Sequence, residues 1–427
     1  MRDLDRDETP AATRPRLAYL LKKFPRLSET FVLNEILGQE ALGREIHVFA
    51  RRARDAEPLH PQTARLRATI ETLPPHHEID PWDTLFAPEW TAAGRFEELG
   101  RLVQASRGWG HPRSPSLLVE SLYLLRRTAE LEIRHVHTHF ATDSAFVAML
   151  MRELGGPTYS LTAHAKDIYR ETVNPLVLDR ILRGAEFAVT VCDANVDYLS
   201  RRLSEPALAK VRRLYNGVDL AAFRPGEGAR SDRHFLSVGR LIEKKGFFVF
   251  LDALRALSDR GIDYEASIVG EGEERARLAE RIAALELGDR VRLLGALDQA
   301  AVLRLMQEAT VLCLPCLVGE DGNRDALPTV LLEALACGLP VVSTPVTGIP
   351  EILAGGRAGV LVPERDPIAT ADALEGLLRD RGRRAELARH GREHAEATFD
   401  SARIARTLHS WFEAALDRAE DGCGSPA

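Results

Sequence analysis

The chain has 427 residues, 56 of them Lys or Arg and 63 Asp or Glu, for a formal charge of −7. That balance gives no overall cationic pull toward nucleic acid. With 45% hydrophobic and 28% charged residues, the composition is that of a folded chain, and the length suits two domains better than one core.

No run of eighteen apolar residues occurs, and no basic leader precedes a short apolar stretch. The expectation is a protein that neither spans a membrane nor is secreted. Five cysteines, an odd number, fit a reducing cytosol better than a disulfide framework. Cys313 and Cys316 form C-L-P-C inside the apolar run VLCLPCL, which reads as a buried strand end and not as a metal or redox pair.

Residues 1–14 read as a loose acidic tail. RLAYLL (16–21) is the first expected strand, and SETFVLNEILGQEALG (28–43) the first helix, with Ser28 as cap and Gly43 as stop. EIHVFA (45–50) follows. Region 55–115 is proline-rich and irregular. SLLVESLYLLRRTAELEIR (116–134) places Leu117, Leu118, Leu122, Leu125 and Leu131 on one helical face beside Arg126 and Arg127. Such a stripe covers a strand in most proteins, but with basic neighbours it also predicts weak contact with an anionic membrane. Strands are expected at RHVHTHF (134–140), YSLTAHA (159–165), EFAVTVC (186–192) and KVRRLYNG (210–217).

GEGARSDR (226–233) reads as a linker, after which the rhythm restarts. HFLSVG, YEASIVG, RVRLLG, TVLCLPC, PVVST and GVLVP are strands, separated by helices near 247–258, 272–285, 299–308, 327–337 and 367–379. Strand–helix alternation of this kind argues parallel sheets covered on both faces. The expected fold is α/β: two Rossmann-like domains, 15–225 and 226–397, facing each other across a cleft. A terminal helix within 398–427 packs back toward the first domain.

Ligands of open parallel sheets sit at the carboxyl ends of strands. The unusual polar residues collect there. RDALPTVLLEALACG sets Asp325 eight residues ahead of Glu333. On a helix they stand about 12 Å apart, too far to share a metal and well placed to touch both ends of one elongated ligand. Pro328 fits the first turn of that helix, with Asp325 just ahead of it or capping it. GRLIEKKG adds Arg240 and Lys245 ahead of the next helix, a pair suited to a diphosphate. Neither G-x-G-x-x-G nor G-x-x-x-x-G-K-[ST] occurs. TAHAKD ends a strand with His164. In HVHTHF, His135, His137 and His139 alternate on one face about 7 Å apart, too far to share an ion, and only His139 lies toward the cleft.

LSVGRLIEKKG, SIVGEGEERARL, VRLLGAL and DALPTVLLEALACGLPVVSTPVTGIPEIL, in this order, resemble the retaining glycosyltransferases of family 4, which have the GT-B architecture. FPRLSETFVLNEI, LTAHAKDIY and RRLYNGVDLAAFRP are similar to the subgroup that builds colanic acid and related exopolysaccharides. The resemblance implies sugar transfer from a nucleotide-diphosphate sugar to an acceptor, lipid-linked or small, at the cytoplasmic face of the plasma membrane. It implies no metal or other cofactor.

Arg240 and Lys245 would grip the diphosphate, and Glu333 the ribose hydroxyls. Asp325, where the family usually has Glu, would face the donor sugar. Gly239, Leu327, Pro328 and Thr329 would also contact the donor, with Gly295 and Leu297 lining the base. His164 would sit over the sugar. Ser28, Glu29, Thr30 and His139 would meet the acceptor. A non-hydrolysing nucleotide-sugar epimerase shares the architecture, and consumption of donor only with acceptor present separates the two. A nucleotide-sugar-binding protein without turnover is a third reading.

Overall fold

The computed structural model describes residues 16–26, 29–56, 59–86, 95–106 and 108–423. Ser28, the tail and the residues after 423 lie outside them. The described strands form two sheets with all pairings parallel. The first holds β1 (Arg16–Leu21), β2 (Ile46–Ala50), β3 (Thr69–Thr72), β4 (Ile133–His139), β5 (Thr158–Ala163), β6 (Ala188–Thr190) and β7 (Val211–Arg213), in the order β3-β2-β1-β4-β5-β6-β7. The second holds β8 (His234–Val238), β9 (Glu265–Val269), β10 (Val291–Gly295), β11 (Val311–Leu314), β12 (Val341–Ser343) and β13 (Val360–Leu361), in the order β10-β9-β8-β11-β12-β13.

The central strands are apolar throughout because helices cover both faces; Leu17 to Leu21 are all buried. Strand ends are trimmed where a cap takes over. The run expected at 186–192 pairs only over Ala188–Thr190, since Cys192 caps the helix Asp193–Ser200. The first helix runs Thr30–Ala41 with Glu29 as cap, so the expected Ser28 cap is corrected by one residue. The edge strand Thr69–Thr72 was not anticipated. It is short, with Thr69, Ile70 and Thr72 exposed, and gives almost no alternation to read.

The leucine stripe faces inward. In the helix Ser114–Glu130, Leu117, Leu122, Leu124 and Leu125 are buried. Arg127 pairs with Glu71 at 2.9 Å and Arg126 with Asp83 at 3.4 Å. The expectation that this stripe meets a membrane is therefore overturned: its apolar face is spent on the core. Among the described residues, no helix is long and apolar enough to cross a membrane.

The chain crosses between sheets twice. After β7 it reaches β8, and at residues 399–401 it returns, where Val218 N–H donates to Phe399 O at 2.8 Å and Ser401 N–H to Val218 O at 3.1 Å. The helix Ser401–Cys423 then lies on the first sheet, packing Leu408, Phe412 and Ala415 against Leu17, Tyr19, Val48 and Phe187. Gln39 Nε2 donates to Ala405 O at 2.9 Å, and Arg418 pairs with Glu186 at 3.1 Å.

In each sheet the strand order reverses once, between β1 and β4 and between β8 and β11. A crevice opens at the carboxyl ends of such strands. Both switch points carry the polar residues singled out above.

Candidate active site

In the second sheet the loop after β8 folds against the loop after β11. Gly246 makes this possible: its φ is +71°, and a Cβ there would lie 1.9 Å from Pro315 O. Any side chain would push the turn Glu243–Lys245 away from the neighbouring loop. With the turn seated, Lys244 Nζ lies 3.0 Å from Asp325 Oδ1, and Lys245 Nζ lies 2.6 Å from Asp325 Oδ2. Lys244 Nζ also donates to Arg324 O at 3.3 Å. Lys244 was not anticipated, because adjacent lysines ordinarily point apart; a short 3₁₀ turn brings both to one carboxylate.

Burial would push the Asp325 carboxyl up, but the Lys245 and Lys244 ammoniums outweigh it and hold it well below the usual range. Burial also works to lower the Lys245 pKa, and Asp325 more than reverses it. The cluster is a charge-ordered triad with its two cations aimed at one acid. Asp325 does not cap the helix Thr329–Ala336; Pro328 is its cap and not its first-turn residue, because Pro328 keeps an extended ψ of 109°.

Glu333 sits partly buried inside that helix. Burial pushes its carboxyl up to about 7, with Lys245 opposing. Arg240 is exposed just past β8. Gly239 follows β8 beside Lys245, whose Cδ and Cε would lie 3.4 Å from a Cβ there, an ordinary contact distance. Gly295 ends β10 with φ +73°, Leu297 is exposed and Leu327 buried.

In the first sheet β4 and β5 deliver His139 and His164. His139 Nδ1 lies 3.1 Å from His164 Nε2, and His139 Nε2 lies 3.1 Å from Glu35 Oε1. The rings of Phe31 and Phe140 pack against His164, each with its centroid 4.6 Å away. Glu35 comes from the first helix, 104 residues away from His139, so nothing local in the sequence announces it. Glu35, His137 and His139 offer ligand atoms within 4.8 Å of one another, a grouping the three-histidine reading did not contain. His135 is a satisfied core residue, bonded to Thr158 at 2.8 Å and Ser160 at 2.7 Å. Glu29 pairs with Arg26 at 2.8 Å, and Thr30 opens the helix beside it.

The two halves meet beside these clusters. Arg170 pairs with Asp321 at 3.2 Å, and the Arg324 guanidinium lies 4.6 Å from the Tyr169 ring centroid. The segment following His164 therefore touches the segment preceding Asp325. Farther from that contact, Glu351 accepts from Asp193 N–H (2.8 Å) and Ala194 N–H (3.0 Å) at a helix N-terminus of the first half. Cys313 and Cys316 are buried free thiols, as their apolar context implied.

Two facing parallel-sheet domains with polar clusters at both switch points define a GT-B protein. Residues 28–222 match Glycosyltransferase Family 4, and residues 222–394 match Glycosyl transferases group 1. The chain belongs to glycosyltransferase family 4. It is 28% identical over 428 residues to WcaL of Escherichia coli (strain K12), provisionally named a colanic acid biosynthesis glycosyltransferase, covering 93% of this chain and 100% of that one. It is also 28% identical over 382 residues to the amylovoran biosynthesis glycosyltransferase AmsK of Erwinia amylovora, covering 85% and 89%. Among solved structures, Anabaena Alr3699/HepE in complex with UDP and glucose superposes with a TM-score of 0.70 at 17% identity, over 93% of this chain and 99% of that one.

Proposed function

We propose that the protein transfers a sugar, with retention of anomeric configuration, from a nucleotide-diphosphate sugar to a lipid-linked oligosaccharide during exopolysaccharide or capsule assembly in the cytoplasm. The observation that carries this is the Lys244–Asp325–Lys245 cluster at the switch point of the second sheet, with Glu333 on the helix Thr329–Ala336 that follows Asp325. Arg240 and Lys245 face the diphosphate, whose leaving-group charge they stabilise, and Glu333 holds the ribose. Gly239, Gly295, Leu297, Leu327, Pro328 and Thr329 line the donor. Asp325 orders the cations, and residues 226–397 form the donor domain. Residues 15–225 form the acceptor domain, with Glu29 and Thr30 on its cleft side; His139, expected to meet the acceptor, is instead buried with both ring nitrogens bonded to His164 and Glu35. WcaL and AmsK are named for colanic acid and amylovoran biosynthesis, which supports the exopolysaccharide product, and the HepE structure holds UDP and glucose, which supports a nucleotide-sugar donor. These cations do the electrostatic work without a metal.

A thermal-shift panel of UDP-, GDP- and ADP-sugars tests the reading, since a tight donor raises Tm by mass action. Donor consumption should then require acceptor and survive EDTA. No shift with any nucleotide sugar would reject it.

Glu333→Ala should raise the donor KM more than it lowers kcat, because a ribose contact is equal in ground and transition states. A collapse of kcat at constant KM would remove Glu333 from the ribose. Its titration gives a second check. A carboxyl raised to about 7 stabilises the fold below its ordinary pKa, and that contribution is lost as pH rises through 7. Glu333→Gln mimics the protonated form. The variant's Tm should therefore gain on wild type as pH rises from the ordinary Glu range past 7, in the absence of donor.

With the leucine stripe buried, membrane contact falls to another surface. Trp82 and Phe86 stack with centroids 5.6 Å apart and are 56% and 68% exposed. Full-length protein should co-sediment weakly with anionic vesicles at low salt, and Trp82→Ala/Phe86→Ala should not. Absence of pelleting by wild type would shift the acceptor toward a soluble small molecule.

A further inference from the structure

A chain of hydrogen bonds runs from the core of the first domain to the mouth of β5, and its two ends fix its direction. Tyr19 donates its hydroxyl to Glu35 Oε1 at 2.9 Å, and the same oxygen meets His139 Nε2 at 3.1 Å. His139 Nδ1 meets His164 Nε2 at 3.1 Å. Beyond, His164 and Asp167 form a capping box: the imidazole accepts the Asp167 backbone N–H, and the Asp167 carboxylate accepts the His164 backbone N–H at 3.0 and 3.1 Å. With Nε2 turned to His139, Nδ1 is the atom that takes the backbone N–H.

A carboxylate only accepts and a backbone N–H only donates. Every link between them must therefore point the same way. His164 Nε2–H donates to His139 Nδ1, and His139 Nε2–H donates to Glu35. Protonating either ring would set two donors against each other. The surroundings agree. Burial depresses the His164 pKa well below its ordinary value, and the Lys166 ammonium adds to it. The Glu35 oxygen collects the Tyr19 hydroxyl and the His139 N–H together, as an acceptor does.

We propose that Glu35 and His139 are positioning residues that lock His164 as the neutral Nε2–H tautomer, so that His164 serves sugar transfer through the placement of its ring and turn and transfers no proton. The lock stands on the hydrogen bonds alone; its effect on turnover rests on the function proposed above.

Full-length protein labelled with ¹⁵N-histidine reports each tautomer directly, with His139→Gln and His164→Gln assigning the signals. Both rings should carry their proton on Nε2 and leave Nδ1 bare. Glu35→Leu removes the acceptor and should disperse the tautomers, lowering kcat about tenfold while the donor KM stays within about twofold. Glu35→Gln keeps an acceptor oxygen and should restore both tautomer and most of kcat. An Nδ1–H or charged His164 in wild type, or unchanged tautomers or kcat in Glu35→Leu, would overturn the proposal. So would a stoichiometric metal ion retained through Glu35, His137 and His139, since it would need His139 Nε2 bare. Expected tautomers in a wild type that turns over no nucleotide sugar would count against the function and leave the lock standing.

Discussion

Lys245→Ala should lower kcat by about 2–4 kcal/mol of transition-state stabilisation, with a much smaller change in the donor KM. Charge grows on the diphosphate only as the glycosidic bond breaks, so a cation beside it contributes most in the transition state. The surroundings of Lys245 fit the proposed role. Its side chain is only 12% exposed, its ammonium is held at 2.6 Å by Asp325, and burial strengthens each charge contact it makes. Lys244 shares the same carboxylate at 3.0 Å and would keep some positive potential in place. The single variant should therefore lose less than Lys244→Ala/Lys245→Ala. Arg240→Ala should act in the same direction and less strongly, because Arg240 is exposed and water screens it. Steady-state kinetics at saturating acceptor decides the matter. Activity of Lys245→Ala within a factor of a few of wild type would remove it from the leaving-group site.

The strands were legible where physics leaves a one-dimensional trace. Leu17 to Leu21 and TVLCL are buried on both faces, so their apolar runs stand out from the helical period around them. The helices expected near 299–308 and 367–379 have those bounds in the structure, where Asp298 accepts from Ala301 N–H and Asp366 from Ala369 N–H. Region 55–115 was opaque for the opposite reason. Its short elements carry few periods, and an edge strand such as Thr69–Thr72 needs little apolar patterning. The leucine stripe of Ser114–Glu130 shows a different limit. A helix face that packs on a core and one that lies on a membrane have the same period, and only tertiary packing separates them.

At the site, Asp325, Glu333, Arg240 and Lys245 announced themselves through spacing after strands. Their partners did not. Glu35 reaches His139 across 104 residues, and Glu351 reaches Asp193 across 158. Such pairs are products of topology, and no local pattern encodes them. The resemblance to family 4 supplied the roles of the donor residues, while the geometry supplied what the resemblance lacked: Lys244, and the capture of both Asp325 oxygens by lysines.

That capture makes Asp325→Asn the substitution with the largest expected effect on stability. The amide has nearly the same shape and no charge, so it leaves Lys244 and Lys245, 11% and 12% exposed, facing each other without an anion. Removing one partner from a buried ion cluster typically costs about 3–5 kcal/mol, since the remaining charges stay desolvated. Partial exposure and relaxation of the lysine stems put the expected loss at about 3 kcal/mol. The pH dependence carries a sign. Asp325 is held below its ordinary pKa, so its contribution is complete above that range and is lost only as pH falls through the lowered value. The Tm gap between wild type and Asp325→Asn should therefore be flat around neutrality and begin to close only in acid, below about pH 4. A donor diphosphate supplies the anion that the variant lacks. Nucleotide sugar should consequently raise the Tm of Asp325→Asn by more than it raises that of wild type, while kcat falls because the cations are no longer ordered toward one point. Calorimetry with and without nucleotide sugar measures both effects. An unchanged Tm in Asp325→Asn without donor would show that the lysines do not depend on this carboxylate.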